Sequence, residues 1–487
     1  MFTKIKEKYS EIKNFSNGEF FEGKGDKYEV YSPINEEIIG TFKTASVEQL
    51  DEVVEKAKKA QNEWGSLTFK ARSQVLYKYR ELLVKYREEI SEINSVENGK
   101  NMAEAYAGVD KAIELTDFAC SMPQLISEKT EEVSRGVVCK EIRKPLGVVA
   151  SITPFNFPVM VPNWTIPNSI VLGNAIILKP SELTPISAMK MAELWKEAGL
   201  PDGIFNVVNG GKEIVERICD HENIAAVSFV GSTPVAKIVH ERCSKNGKRV
   251  LALGGAKNHI TVMPDVNVEA GSRDIIASAF GMSGQRCMAA SVIIGVGNVQ
   301  EILNSVVEKA KEMKAGEDLP PLVTKVAVQK IIDYIEFAEK NGGKILVDGR
   351  EKMSSENSCL IGPTIIEWSE SSNMGKTEVF GPLLEFVKAD SLEEAIKIQN
   401  RSPYGNAASI FTQNGRIADE AIKGFQAGML GINIGVPVPR EPFSFGGIKD
   451  SKFGYGDITG ESSINFWTNL IKLTTKWNAE NKVDWMS

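Results

Sequence analysis

The stretch that decides the fold is Gly147-Val148-Val149-Ala150-Ser151-Ile152-Thr153, followed after a proline-rich loop by Trp164–Gly173 and then Ala175-Ile176-Ile177-Leu178. Short apolar runs rich in Val and Ile read as strands buried on both faces. The run between them reads as a helix. The pattern then repeats. Pro185–Ala198 reads as a helix capped by Thr184, Phe205–Val208 as a strand, and Ala225–Val230 as a strand ending in Gly231-Ser232-Thr233. A helix to residue 244 follows. Strands alternating with helices of this length predict a parallel, doubly wound sheet, and such sheets bind ligands at the carboxyl ends of their strands. Lys179, Glu182, Gly231 and Ser232 all fall at such ends.

Outward from this core, residues 1–45 read as an irregular entry with short strands, Asn35-Glu36-Glu37 turning between two of them. Val47, Leu50, Val53, Val54, Ala57, Ala60 and Trp64 keep helical spacing, with Ser46 and Gln49 placed for a capping box. Val75 to Ile93 reads as a second long amphipathic helix, and residues 102–120 as a third. Residues 130–144 are charged and β-rich, as for a projecting hairpin. Gly254-Gly255 marks a junction. Beyond it a second strand–helix alternation runs to about residue 435, so 487 residues divide into two α/β domains with a cleft between them.

Composition bounds the function. A net charge of −7 argues against nucleic acid or an anionic membrane as the main partner. Six scattered cysteines without a CxxC pair read as reduced thiols of a cytoplasmic protein. Three histidines leave little material for a histidine triad, and no metal is expected. The N-terminus has no apolar secretory region. The one long uncharged run, Pro145 to Leu178, carries five prolines, which a lipid-facing helix would not.

Gly281-Met282-Ser283-Gly284-Gln285-Arg286-Cys287-Met288-Ala289 carries the candidate chemistry. A thiolate is a strong nucleophile toward carbonyl carbon, and small neighbours let a substrate approach it. Taken alone, a free cysteine is more often simply packed in a core.

Six stretches in order resolve that choice: Pro154-Phe155-Asn156-Phe157-Pro158, Leu178-Lys179-Pro180-Ser181-Glu182, Phe229-Val230-Gly231-Ser232-Thr233, Gly284-Gln285-Arg286-Cys287, Glu378-Val379-Phe380-Gly381-Pro382 and Pro442-Phe443-Ser444-Phe445-Gly446-Gly447. With them the chain resembles the aldehyde dehydrogenase superfamily over essentially its whole length. Gly255-Ala256-Lys257-Asn258-His259, Arg286-Cys287-Met288-Ala289 and Gly431-Ile432-Asn433-Ile434-Gly435-Val436-Pro437 make it most similar to the methylmalonate-semialdehyde dehydrogenase subfamily.

The resemblance implies an aldehyde dehydrogenase-like α/β fold. It implies an NAD-binding domain over residues 1–125 and 145–254, a catalytic domain over 255–445, and an oligomerisation element from 126–144 and 446–487. By the same resemblance, Cys287 attacks the aldehyde carbon and Asn156, with the Cys287 N–H, receives the oxyanion. A preorganised donor of that kind lowers the barrier by roughly 3–4 kcal/mol. Collapse expels hydride to nicotinamide and leaves a thioester. Lys179 and Glu182 would hold the adenosine ribose, which favours NAD over NADP. Gly231 and Ser232 would meet the pyrophosphate, Glu378 would grip the nicotinamide ribose, and Phe155 and Phe380 would also contact the cofactor. Coenzyme A is the implied acyl acceptor, and a homodimer or homotetramer the implied assembly.

Two departures from the superfamily bear on this. Ala236 stands where the dinucleotide turn usually has glycine. Ala252, 35 residues before Cys287, stands where hydrolytic members carry a glutamate that activates water. Its loss leaves a thiol such as coenzyme A as the acceptor, as in the subfamily; a hydrolytic enzyme with its base elsewhere is the alternative. For the substrate carboxylate, Arg286 offers a planar fork. Lys111 falls where the subfamily has a second arginine, which keeps succinate semialdehyde and other small acid aldehydes in play.

Overall fold

The computed structural model describes residues 1–353 and 358–477. The centre of the first domain is five parallel strands in the spatial order Phe205–Val207, Ala175–Lys179, Val148–Ile152, Ile224–Val230, Arg249–Leu253. The chain starts in the middle, runs to one edge, then returns to fill the other. The strand order therefore reverses beside Val148–Ile152, and a crevice opens at the carboxyl ends of that strand and of Ile224–Val230. Antiparallel strands extend both edges: Asn14–Ser16 and Glu19–Phe21 on one, Lys452–Gly454 on the other.

Helices cover both faces, and their caps explain where several begin. Val47–Ser66 starts with the expected capping box of Ser46 and Gln49. The predicted second helix is two, Phe69–Lys85 and Arg87–Asn98, because Tyr86 leaves the helical region at φ −101°, ψ 16°. Apolar periodicity runs through that break unaltered, so a break without Pro or Gly leaves no mark in it. The third helix, Met102–Leu125, outlasts its predicted end. Residues 2–9, read as irregular, form the helix Phe2–Tyr9, which buries Ile5 and Tyr9. Thr184 does not cap the helix Ile186–Glu197. Its hydroxyl is buried without a partner, and the carboxylate of Glu97 takes the free N–H groups of Ile186 and Ser187 instead. That cap comes from another helix, where local spacing cannot reveal it. The core beneath these helices includes Trp64, Leu76, Phe205 and a stacked Tyr79–Trp195 pair with ring centroids 3.6 Å apart.

The second domain is a seven-stranded sheet in the order Gly343–Val347, Thr364–Trp368, Leu383–Ala389, Ala290–Val296, Asn258–Val262, Ala407–Phe411, Met429–Ile432. All its strand pairs are parallel except Gly343–Val347 with Thr364–Trp368. Apolar clusters cover both faces, as a parallel sheet requires.

A third, small antiparallel sheet pairs Thr130–Ser134 with Val137–Pro145, and Val137–Pro145 with Thr468–Lys476 over nine residues. The segment 446–487, expected as one element, thus divides: Lys452–Gly454 belongs to the first sheet and Thr468–Lys476 to the small one, while residues 478–487 lie outside the described residues. Among the described residues no helix is long and apolar enough to cross a membrane.

Candidate active site

Two loops from different domains meet to form the site. The first follows Val148–Ile152 and carries Phe155 and Asn156. Parallel register sets Ile152 beside both Lys179 and Phe229, so this loop, Lys179 and the Gly231-Ser232 turn share one edge of the sheet. The second loop joins the helix Val268–Phe280 to the strand Ala290–Val296 and carries Arg286 and Cys287.

Three successive left-handed residues bend the second loop: Met282 at φ 54°, Ser283 at φ 50° and Gly284 at φ 69°. The first two are strained for residues with a side chain. Gly284 is required twice over, since a Cβ there would also lie 2.0 Å from the Gly381 carbonyl oxygen. Outside contacts hold the bend. Met282 N–H donates to Glu104 at 2.5 Å, Ser283 Oγ donates to the Pro320 carbonyl, and Gln285 Oε1 accepts from Val323 N–H at 3.0 Å. The Cys287 carbonyl accepts from both Asn258 Nδ2 and Asn406 Nδ2, each at 2.9 Å. Asn258 opens one of two adjacent parallel strands and Asn406 precedes the other, so the sheet itself grips the Cys287 peptide and leaves its N–H uncommitted to that grip.

Asn156 is 5% exposed, and its Nδ2 donates to the Gln285 carbonyl at 3.1 Å, two residues before the cysteine. One of its two N–H groups is used there and the other remains. Burial pushes the Cys287 thiol up to about 12, with a further contribution from the nearby Glu378 charge; Arg286 opposes both. Glu378 accepts from Ala256 N–H at 2.9 Å, and burial raises its carboxyl to about 7. Phe380, two residues on, stands edge-on to Phe155, with centroids 6.0 Å apart at 89°. The aromatic pair joins the first loop to the segment that carries Glu378, and Phe380 lines a cavity with Cys287.

Lys179 is 4% exposed, and its ammonium pairs with Glu182 at 2.5 Å, the one partner it has among the described residues. Ser232 caps the helix Thr233–Lys245 without a side-chain bond, so the first N–H groups of that helix stay open to a ligand. Ala236 is fully buried, and its N–H makes a regular first-turn bond to Ser232 O at 2.9 Å. Ala252 lies buried within Arg249–Leu253, and no carboxylate replaces it in that strand.

The two expected substrate cations differ. Arg286 turns one guanidinium nitrogen to the Ala277 and Ser278 carbonyls, while its Nε is buried without a partner. The Lys111 ammonium is already neutralised by Glu441 at 2.7 Å and Glu114 at 3.2 Å. Those carboxylates come from residue 441, 330 positions away, and from three positions along the same helix.

Sequence reasoning also passed over Asn98, Lys100, Glu104, Asn258 and Asn406. Asn258 lies within one of the quoted stretches; Asn406 has no local signal at all.

The family model for the aldehyde dehydrogenase family matches residues 20–472. Malonate-semialdehyde dehydrogenase 2 of Geobacillus kaustophilus is 40% identical over 477 residues, covering 96% of this chain and 99% of its own. Malonate-semialdehyde dehydrogenase of Halalkalibacterium halodurans is 40% identical over 476 residues, covering 96% and 98%. Among solved structures, a putative methylmalonate-semialdehyde dehydrogenase from Sinorhizobium meliloti complexed with NAD superposes with a TM-score of 0.95 at 37% identity, over 97% of this chain and 99% of that one. Methylmalonate-semialdehyde dehydrogenase from Oceanimonas doudoroffii gives 0.94 at 36%, over 97% and 99%.

Proposed function

The chain belongs to the aldehyde dehydrogenase family, and from that premise we propose that it oxidises malonate or methylmalonate semialdehyde with NAD and passes the acyl group to coenzyme A. The observation that carries this reading is the meeting of Asn156 with the Cys287 loop across the domain boundary. The relatives named above are malonate- and methylmalonate-semialdehyde dehydrogenases, and the absence of a carboxylate at Ala252 supports a thiol acceptor.

The residues present fit the cofactor. Open helix N–H groups behind Gly231 and Ser232 suit a pyrophosphate, and Lys179 with Glu182 suits the adenosine ribose. Glu378 would hold the second ribose, and Phe155 and Phe380 would contact the nicotinamide end. NAD, when bound, supplies the hydride acceptor. Cys287 gives its proton to solvent water and adds as the thiolate to the aldehyde carbon. The free Asn156 N–H and the Cys287 N–H receive the charge that develops on oxygen. After oxidation the acyl group sits on Cys287 as a thioester, and the coenzyme A thiol displaces the Cys287 sulfur. Arg286 is the cation assigned to the substrate carboxylate, because Lys111 is already paired. Residues 1–125 and 145–254 serve as the NAD-binding domain and 255–445 as the catalytic domain. The small sheet serves assembly into a dimer or tetramer, in the cytoplasm.

The test is NADH formation from malonate semialdehyde with and without coenzyme A, with identification of the acyl product. Strong dependence on coenzyme A and a thioester product are expected. Sustained turnover to free acid without it would favour a second reading, hydrolysis. Glu378 is the specific candidate base for that, being close enough to raise the Cys287 thiol and itself raised to about 7.

A further inference from the structure

The segment Glu97–Glu104 touches both catalytic loops from behind. Asn98 Nδ2 donates to the Phe155 carbonyl at 2.9 Å, Lys100 Nζ to the Asn156 carbonyl at 2.8 Å, and Glu104 accepts from Met282 N–H. Between Asn98 and Lys100, Gly99 turns the chain at φ 90°, where a Cβ would meet Pro33 and Pro321. Lys100 is 1% exposed and lies over the Phe157 ring at 4.5 Å. Burying an ammonium so completely is costly. A methionine would fill the same space at lower cost, so what the ammonium adds is a donor aimed at one peptide. That peptide is fixed from two sides: Lys100 holds its carbonyl, and the Asn156 side chain reaches the Gln285 carbonyl in the nucleophile loop.

We propose that Lys100 is a positioning residue for the oxyanion donor, its Nζ–H holding the Asn156 peptide so that the side-chain amide stands beside Cys287. This rests on the chemistry proposed above, in which Asn156 is that donor. Lys100 itself touches neither substrate nor cofactor in this scheme.

The experiment is a double-mutant cycle in the full-length enzyme with NAD, coenzyme A and malonate semialdehyde, comparing Lys100→Met, Lys100→Gln, Asn156→Ala and the double variant Lys100→Met/Asn156→Ala. Lys100→Met is expected to lower kcat at least about tenfold, as misplaced catalytic groups do. KM for NAD and the alkylation rate of Cys287 should stay within about twofold. Lys100→Gln, which keeps a donor, should recover most of the loss. The double variant should be no slower than Asn156→Ala alone, since a misplaced amide that is already absent costs nothing more. Wild-type kcat in Lys100→Met with a slow Asn156→Ala, or losses that multiply in the double variant, would overturn the proposal alone. Wild-type kcat in Asn156→Ala would instead remove the reading on which it rests. Should Lys100→Met not fold, Lys100→Ala carries the same cycle with the same outcomes.

Discussion

Cys287 is held as a thiol at neutral pH, because burial and the Glu378 charge both disfavour the thiolate. With its pKa raised to about 12, the thiolate fraction should climb roughly tenfold per pH unit across pH 7 to 9. Alkylation of the cofactor-free enzyme by iodoacetamide should therefore climb at that slope, without a plateau near the ordinary thiol value. Glu378→Gln removes the neighbouring negative charge. The thiol pKa then falls, and alkylation at pH 8 should quicken several-fold; an unchanged rate would mean that Glu378 does not act on the sulfur. At the same scale, Glu182, proposed above to face the adenosine ribose, would repel a 2′-phosphate. Glu182→Gln should lower KM for NADP about tenfold while raising KM for NAD, measured by steady-state kinetics with each cofactor.

Elements here are joined by single buried polar side chains as much as by apolar faces. Arg72, 2% exposed on the helix Phe69–Lys85, is the clearest case. Its Nε donates to the Val171 carbonyl at 2.7 Å and its Nη1 to the Leu67 carbonyl at 2.6 Å and the Gly65 carbonyl at 3.2 Å. It closes the carboxyl ends of two helices, Val47–Ser66 and Met160–Val171, whose last carbonyls lack partners of their own. Arg72→Ala leaves the Val171 carbonyl buried and unpaired and opens the carbonyls of Gly65 and Leu67. The expected cost is about 3 kcal/mol, read from denaturant unfolding. A loss within about 0.5 kcal/mol would mean that water replaces the guanidinium. Glu97 performs the matching role at an amino end, on the helix Ile186–Glu197.

At the scale of the whole molecule, the small sheet stands out as exposed or half-buried throughout Thr130–Ser134 and Val137–Pro145. Val133, Val138, Ile471 and Leu473 are exposed on it, at 57%, 36%, 40% and 46%. An apolar surface on a sheet with a free edge strand suits a second copy of the chain. The native protein should run as a dimer or tetramer in light scattering. Ile471→Lys/Leu473→Lys should shift it toward smaller species while leaving the fold intact by circular dichroism. An unchanged mass would place the interface elsewhere.

Much of this was determined by the sequence alone, where the cause is local. Apolar runs and their spacing specify the two parallel sheets, because burial on both faces leaves few polar positions. The Ser46–Gln49 cap is written within four residues. Cys287 and Asn156 stand in short stretches that single them out as candidates, and the fold brings those stretches together. What the tertiary structure decided are the contacts between distant residues. Lys111 is silenced by Glu441, 330 positions away, and the cap on Ile186–Glu197 comes from Glu97 rather than from Thr184 beside it. Lys452–Gly454 joins the first sheet instead of the small one. Lys100, Asn258 and Asn406 hold the two reactive loops through backbone carbonyls. A carbonyl is the same in every residue, so sequence carries no record of which side chain it accepts from until the fold brings them together.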